Sequence, residues 1–365
     1  TTPWTLPSNI ALAVHPEREY VKARVALPTA KGAAKGSAGY EVVWIVAARA
    51  ASVLGEHEEL ARVRGRELEG WSYEPLFSHA APEVDPGAWK PAPEAAYRVC
   101  LADYVTVEDG TGIVHQAPSY GADDWATAQR YRLPVLQAVG ADGRFARDFG
   151  PVKAGVFFKD ADDALMEDLK QRGLMFRKAR EPHSYPHCWR CNTPLHYFAA
   201  PAWFVRTSSI KERMVELNRA IQWAPEEVGS KRFGEWLENN IDWNISRERY
   251  WGTPLPFWVC DDCGHETAVG SAAELERRCG KLPAGFDHHK PSVDEPRLSC
   301  ERCGGQMRRT SAVLDCWFDS GAMPYAQHGW PHVAGSRAKL AEQFPASFIC
   351  EGLDQTRGWF YTLHA

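Results

Sequence analysis

Tyr20–Leu27 (YVKARVAL) and Tyr40–Ala47 (YEVVWIVA) are short apolar runs, partly alternating with polar residues and bounded by Gly-, Pro- and Ala-rich turns. That texture predicts strands. It continues in both directions, so residues 1 to about 180 read as a β-rich domain. Helical interruptions are expected at Asp123–Arg132, after a turn, and at Asp160–Arg172, where Leu165, Met166 and Leu169 have helical spacing. Beyond it lies a segment rich in His, Cys, Pro and aromatics, EPHSYPHCWRCNTPLHYFAAPAW (181–203). Two helical stretches follow within 208–240, then a cysteine-paired insert from about 257 to 307, then strand and helix texture again. At the far end SFICEGLDQTRGWF (347–360) reads as a strand, Ser347–Cys350, a loop and a helix.

The chain has 365 residues, more than one core usually organises. With 44% hydrophobic and 24% charged residues its composition is that of a soluble globular protein, and no stretch approaches the roughly 20 apolar residues of a membrane span. A net charge of −5 gives no global basic footprint, so any nucleic-acid contact must be local. The start TTPWTLPSN has no signal-peptide character.

Six of the ten cysteines form three Cys-x-x-Cys pairs, a pattern of reduced, metal-binding, cytoplasmic proteins. Cys260, Cys263, Cys300 and Cys303, with glycine after each pair, make a tetrahedral zinc set. Cys188 and Cys191 supply only two ligands; either a partner pair is missing or His183, His187 or His196 completes the site. Cys100, Cys279, Cys316 and Cys350 read as buried small hydrophobes.

Four separated segments, TTPWTLPSN (1–9), GTGIVHQAPSYGADD (110–124), ISRERYWGTPLP (245–256) and EGLDQTRGWF (351–360), together resemble the isoleucyl type of class I aminoacyl-tRNA synthetase. GYEVVWIV, GRELEGWSYEPLF (65–77), HCWRCNTPL (187–195) and LDCWFDSG (314–321) fit as well, so the likeness covers essentially the whole chain. His115 after Gly-Thr-Gly, and Thr1-Thr2-Pro3-Trp4-Thr5 in a threonine-rich strand, distinguish it from the valyl and leucyl relatives. The resemblance implies an α/β fold: a partial Rossmann-like catalytic domain with an inserted β-rich editing domain and a zinc-ribbon insert. The expected division is 1–180 editing, 181–256 junction and first catalytic part, 257–307 zinc insert, and 308–365 second catalytic half. The family's HIGH and KMSKS motifs are absent, so the chain by itself is not expected to aminoacylate. The upstream cysteine pair that would complete the Cys188 site is also missing.

Isoleucine and valine differ by one methylene, worth only about 1–3 kcal/mol in an apolar pocket, a figure for which isoleucyl-tRNA synthetase is itself the standard example. A second, hydrolytic pocket must hold valine's ammonium group, an ester and a water. Through the resemblance, Asp124 is the ammonium anchor, against the simpler role of Asp123 or Asp124 as a helix cap. His115 meets the substrate side and rejects isoleucine, and Thr1, Thr2 and Thr5 position water or ribose. In the synthetic site Glu351 and Asp354 would grip the substrate ammonium and the adenylate ribose, and Gly352 allows close backbone approach. Gln355 adds a polar contact, and Trp359 and Trp317 wall the side chain. The implied ligands are Zn²⁺, ATP with Mg²⁺, isoleucine, valine and isoleucine tRNA. Arg247, Arg249 and Lys231 receive no role. A catalytically silent zinc-ribbon module that binds nucleic acid is the rival from another class; it leaves GTGIVHQAPSYGADD and GLDQTRGWF unexplained.

Overall fold

The computed structural model describes residues 2–26, 39–77, 91–179 and 184–365. Thr1, Leu27 and His183, named above, lie outside the described residues. The chain divides into two compact units, Thr1–Ala200 and Pro201–Ala365.

In the first unit the expected strands form β1 (Ala11–Val14), β2 (Glu19–Ala26), β3 (Tyr40–Val46), β4 (His57–Arg64), β5 (Arg98–Leu101) and β6 (Ile113–Gln116). The helices are α1 (Ala47–Leu54), α2 (Ala122–Tyr131) and α3 (Asp162–Gln171). One antiparallel sheet has the order β3-β2-β4, with Tyr20 opposite Val46 and Val21 opposite Ile45. Successive side chains point to opposite faces. Val21 and Ile45 therefore pack with Ala50 of α1, whereas Tyr20 and Val46 pack with Val14 and Leu68. Edge strand β4 is exposed and charged, pairing Arg62 with Glu19 at 2.8 Å and Glu58 with Arg24 at 2.7 Å, which protects an open edge from further pairing. The second sheet, β5-β1-β6, is mixed: β1 runs parallel to β5 and antiparallel to β6, with Leu12 opposite His115. Ile10, Leu133, Leu136, Phe145, Phe158 and Leu165 form the largest core of this unit.

The threonine-rich segment is not a strand. Pro3–Ser8 forms a 3-10 helix that delivers the chain into β1. Pro3 and Pro7 fix φ near the helical value and remove two amide donors, which suits a short 3-10 turn and opposes a ladder.

The second unit contains β7 (Phe204–Val205), α4 (Lys211–Arg219), α5 (Gly234–Glu238), β8 (Trp243–Asn244), β9 (Ser246–Arg247), β10 (Phe257–Cys260), β11 (Glu266–Ala268) and α6 (Ala272–Cys279). It continues with β12 (Leu298–Ser299), β13 (Gln306–Arg309), β14 (Val313–Leu314), α7 (Cys316–Gly321), α8 (Met323–Ala326), α9 (Ser336–Gln343) and α10 (Trp359–His364). Met214, Phe233, Leu237 and Tyr361 bring α4, α5 and α10 around one core. Helices α7 and α10 approach so closely that a Cβ on Gly321 would lie 2.5 Å from the Thr362 carbonyl oxygen.

Two expectations fail here. Ser347–Cys350 is not a strand: it has no ladder partner among the described residues, and Phe348 is 82% exposed. The parallel nucleotide-binding sheet is likewise absent, because every strand pair described in this unit is antiparallel. Of the single cysteines, Cys100 is buried, Cys279 intermediate, and Cys316 and Cys350 exposed, so the buried reading holds for the first alone. Cys350 stands in the segment without a ladder, and Cys316 opens α7 facing outward. No helix among the described residues is long and apolar enough to cross a membrane.

Candidate functional site

Gly110-Thr111-Gly112 turns the chain into β6. Gly112 has φ +69°, and a Cβ there would sit 2.5 Å from that of Val46, so only glycine fits. The turn is tied down by the Val46 amide donating to the Thr111 carbonyl (2.9 Å) and the Tyr20 hydroxyl donating to that of Gly112 (2.6 Å). His115 follows on β6, and its ring reaches the threonine-rich turn. Nε2 lies 3.0 Å from Thr5 Oγ1, and Nδ1 2.9 Å from Asn9 Nδ2. Thr5 Oγ1 donates in turn to the Thr2 carbonyl (2.8 Å), and Asn9 Oδ1 accepts from the Tyr73 hydroxyl (2.5 Å). Burial pushes the His115 value down to about 4, which keeps the ring neutral at physiological pH.

Asp124 stands in the first turn of α2, but Gly121 is the N-cap and no side chain caps this helix. The carboxylate instead reaches back and accepts from the Ala117 amide, Oδ2 to N 2.9 Å, at the end of β6. Its role is therefore not that of a helix cap. Burial, aided by the neighbouring Asp123 charge and opposed by the Ala117 hydrogen bond, pushes its value up to about 6. A carboxylate left short of water and of cations is suited to receive an ammonium group. The structure thus joins Thr2, Thr5 and His115 in one hydrogen-bonded chain and fixes Asp124 to a residue two beyond His115. Asn9 and Tyr73 were missed in the sequence: both lie inside the segments quoted above, but nothing in either segment shows that they meet.

In the second unit, Trp317 and Trp359 come together across the α7–α10 contact. Trp359 Nε1 donates to the Ser320 carbonyl (3.0 Å), and a Cβ on Gly358 would touch the Trp317 ring at 3.3 Å. Gln355 Oε1 accepts from the Trp359 amide (3.0 Å), and Gln355 Nε2 donates to Asp354 Oδ2 (3.1 Å). Glu351, Gly352 and Asp354 are exposed around a 3-10 turn, Leu353–Arg357. Arg247, unassigned in the sequence, pairs with buried Asp315, which also accepts from Trp243 Nε1 (3.2 Å) and caps α7 through the Trp317 amide (3.2 Å).

The sulfurs of Cys260, Cys263, Cys300 and Cys303 lie within 4.8 Å of one another, with Cys260–Cys303 at 3.5 Å and Cys263–Cys300 at 3.7 Å. Four thiolates around zinc at about 2.3 Å would stand roughly 3.8 Å apart, so the donor set fits that ion. The sheet β11-β10-β13-β12 holds the two knuckles together. In each knuckle the first cysteine's carbonyl accepts from the amide four residues on, a glycine with φ +66° (Gly264) or +77° (Gly304), and its own amide donates to the carbonyl five residues on. Cys188 repeats this pattern: its carbonyl accepts from Asn192, φ +56°, and its amide donates to the Thr193 carbonyl. It is a formed knuckle without a second half among the described residues. His187 Nδ1 bonds the Tyr185 carbonyl and His196 packs among Trp4, Tyr120, Phe158 and Phe198; among the described residues neither stands with Cys188 and Cys191 in a group of three possible ligands.

The family described as "tRNA synthetases class I (I, L, M and V)" matches residues 4–365. The chain belongs to this family. Among curated relatives it is similar to "Isoleucine--tRNA ligase" of Cutibacterium acnes, 47% identical over 100% of this chain and 34% of that protein. It is also similar to the protein of that name from Thermus thermophilus, 45% identical over 100% of this chain and 32% of the relative, and to that of Clostridium novyi, 44% identical over 100% and 33%. The chain thus spans about a third of the length of the curated relatives it matches. A solved structure titled "The crystal structure of GlLeuRS-CP1" covers 50% of this chain and 82% of its own at 15% identity, with a TM-score of 0.34, too slight a likeness to weigh.

Proposed function

We propose that this chain is the editing and part of the catalytic region of an isoleucine–tRNA ligase, which activates isoleucine with ATP and Mg²⁺ and hydrolyses valine wrongly joined to isoleucine tRNA. Residues 1–180 carry the editing pocket, 181–256 the junction and first catalytic part, 257–307 a zinc-ribbon insert, and 308–365 the second part of the catalytic domain. The observation that carries the editing reading is Asp124: a desolvated carboxylate anchored by the Ala117 amide beside the strand that presents His115. The relatives' printed names support isoleucine as the substrate.

In this reading Asp124 grips the ammonium group of the bound aminoacyl ester, and the restored charge pairing reverses its desolvation. His115 has both ring nitrogens engaged, so it has no free lone pair with which to take a proton; it forms a fixed wall that sets the size of the pocket. Thr2 and Thr5 position the attacking water or the terminal ribose, and so would Thr1. Holding the reacting groups in place is how such a site gains rate. In the second unit Trp317 and Trp359 offer flat walls to a branched side chain, and Glu351, Gly352, Asp354 and Gln355 line the approach for the ammonium and ribose. Zinc would be held by Cys260, Cys263, Cys300 and Cys303, where it supplies structural closure, and a second ion by Cys188, Cys191 and a further pair of ligands. The three Cys-x-x-Cys pairs, as metal ligands, support a reducing, cytoplasmic setting.

The test is deacylation of valyl- and isoleucyl-charged isoleucine tRNA by the full-length synthetase that carries this segment. Asp124→Ala is expected to abolish valine clearance and spare isoleucine-dependent pyrophosphate exchange. His115→Ala is expected to admit isoleucyl-tRNA to hydrolysis. Valine clearance at the wild-type rate by Asp124→Ala would remove the pocket from this place.

A further inference from the structure

The hydrogen bonds around His115 determine which of its nitrogens carries the proton. Asn9 is buried, and its Nδ2 lies 3.0 Å from the Ala11 carbonyl oxygen, which can only accept, so this end of the side chain is the amide nitrogen. The other end, Oδ1, accepts from the Tyr73 hydroxyl. The second proton of Nδ2 points to His115 Nδ1 at 2.9 Å, which must then present a lone pair. A neutral ring with a lone pair on Nδ1 carries its proton on Nε2. That proton faces Thr5 Oγ1 at 3.0 Å, and the Thr5 hydroxyl passes its own to the Thr2 carbonyl.

We propose that Asn9 and Tyr73 are positioning residues that lock His115 in the Nε2–H tautomer, so that the Tyr73–Asn9–His115–Thr5–Thr2 chain runs in one direction. Every link is a donor facing an acceptor, and reversing one requires reversing its neighbours or leaving a buried polar atom unpaired. The consequence for the pocket is specific. His115 is a donor and never the base for the attacking water, and the Thr5 hydroxyl, already donating to Thr2, has only a lone pair left to offer substrate or water. This inference rests on the editing reading for its use, but the proton's position does not depend on it.

The tautomer is read by long-range proton–nitrogen correlation spectra of the chain labelled at histidine nitrogen, with His115→Gln identifying the His115 signals. The wild type is expected to show Nε2 protonated and Nδ1 bare. Asn9→Asp replaces the donor with a carboxylate and is expected to draw the proton to Nδ1 or to charge the ring. Tyr73→Phe keeps the ring that packs 6.0 Å from Tyr97 and loses only the hydroxyl; with Asn9 then held at its amide nitrogen alone through the Ala11 carbonyl, it is expected to raise the share of the Nδ1–H tautomer. A wild-type ring protonated on Nδ1, or an unchanged Nε2–H signal in Tyr73→Phe, overturns the proposal. If Asn9→Asp fails to fold, the wild-type and Tyr73→Phe spectra decide alone. The same variants in the full-length synthetase separate the two readings. Inverted tautomers with unaltered hydrolysis of mischarged tRNA would sink the editing pocket and leave the relay standing; altered hydrolysis with unaltered tautomers would do the reverse.

Discussion

Replacing Asp124 with asparagine removes the charge and keeps a side-chain oxygen for the Ala117 amide. The carboxyl value is raised from an ordinary 3.8 to about 6. That difference corresponds to about 3 kcal/mol at about 1.4 kcal/mol per unit, reduced to roughly 1–2 kcal/mol for a side chain still in part exposed. Because the folded value lies above the unfolded one, the folded chain retains a proton that the unfolded chain releases between about pH 4 and pH 6. The stability this group contributes is complete below about pH 4 and is lost as pH rises through about 6. At neutral pH Asp124→Asn should therefore melt higher than the wild type, by about 2–4 °C per kcal/mol for a unit of this size, and the gap should close near pH 4. In the full-length synthetase the same variant should lose valine clearance by about 10- to 100-fold, the worth of a charge-assisted hydrogen bond of about 1.5–3 kcal/mol. Stability gained with function lost marks a carboxylate kept for a ligand. The assays are calorimetric melting from pH 4 to 8 and deacylation of mischarged tRNA. A variant that melts below the wild type at neutral pH, or a gap independent of pH, would refute the reasoning.

Valine clearance by the wild type should fall as pH drops through about 6, because protonated Asp124 cannot pair with an ammonium group; a profile flat down to pH 5 would contradict that role. Metal analysis of the purified chain should find zinc that Cys260→Ser and Cys300→Ser release, with a lowered melting temperature for the unit that holds the four-cysteine sheet; unchanged zinc content would refute the ligand set. Trp359→Ala in the full-length synthetase should weaken isoleucine-dependent pyrophosphate exchange and leave mischarged-tRNA hydrolysis intact, and equal loss of both in a folded variant would contradict separate sites. Gly321→Ala should destabilise the second unit by several kcal/mol, since its Cβ would collide with the Thr362 carbonyl across the α7–α10 contact; a melting temperature equal to the wild type would refute that packing.

Much was legible in the sequence because it depends on local order. Period-2 runs placed β2 and β3, the turn before Asp123 placed α2, helical spacing placed α3, and the cysteine pairs placed the four-sulfur cluster, since a knuckle is built by backbone bonds within six residues. The dense motifs marked the family. What failed depends on distant partners. Ser347–Cys350 has the composition of a strand, but strands exist only where another strand answers their amides, and none among the described residues does. The threonine-rich segment, a strand by the family resemblance, is a 3-10 turn because two prolines decide its backbone. Tertiary structure alone revealed that Asp124 bonds Ala117 rather than capping its helix, that Arg247 pairs with Asp315, and that Asn9 and Tyr73 close on His115. Residue types can be read one at a time, but the direction of a hydrogen bond belongs to both its ends, and in the His115 relay those ends stand as many as 110 positions apart.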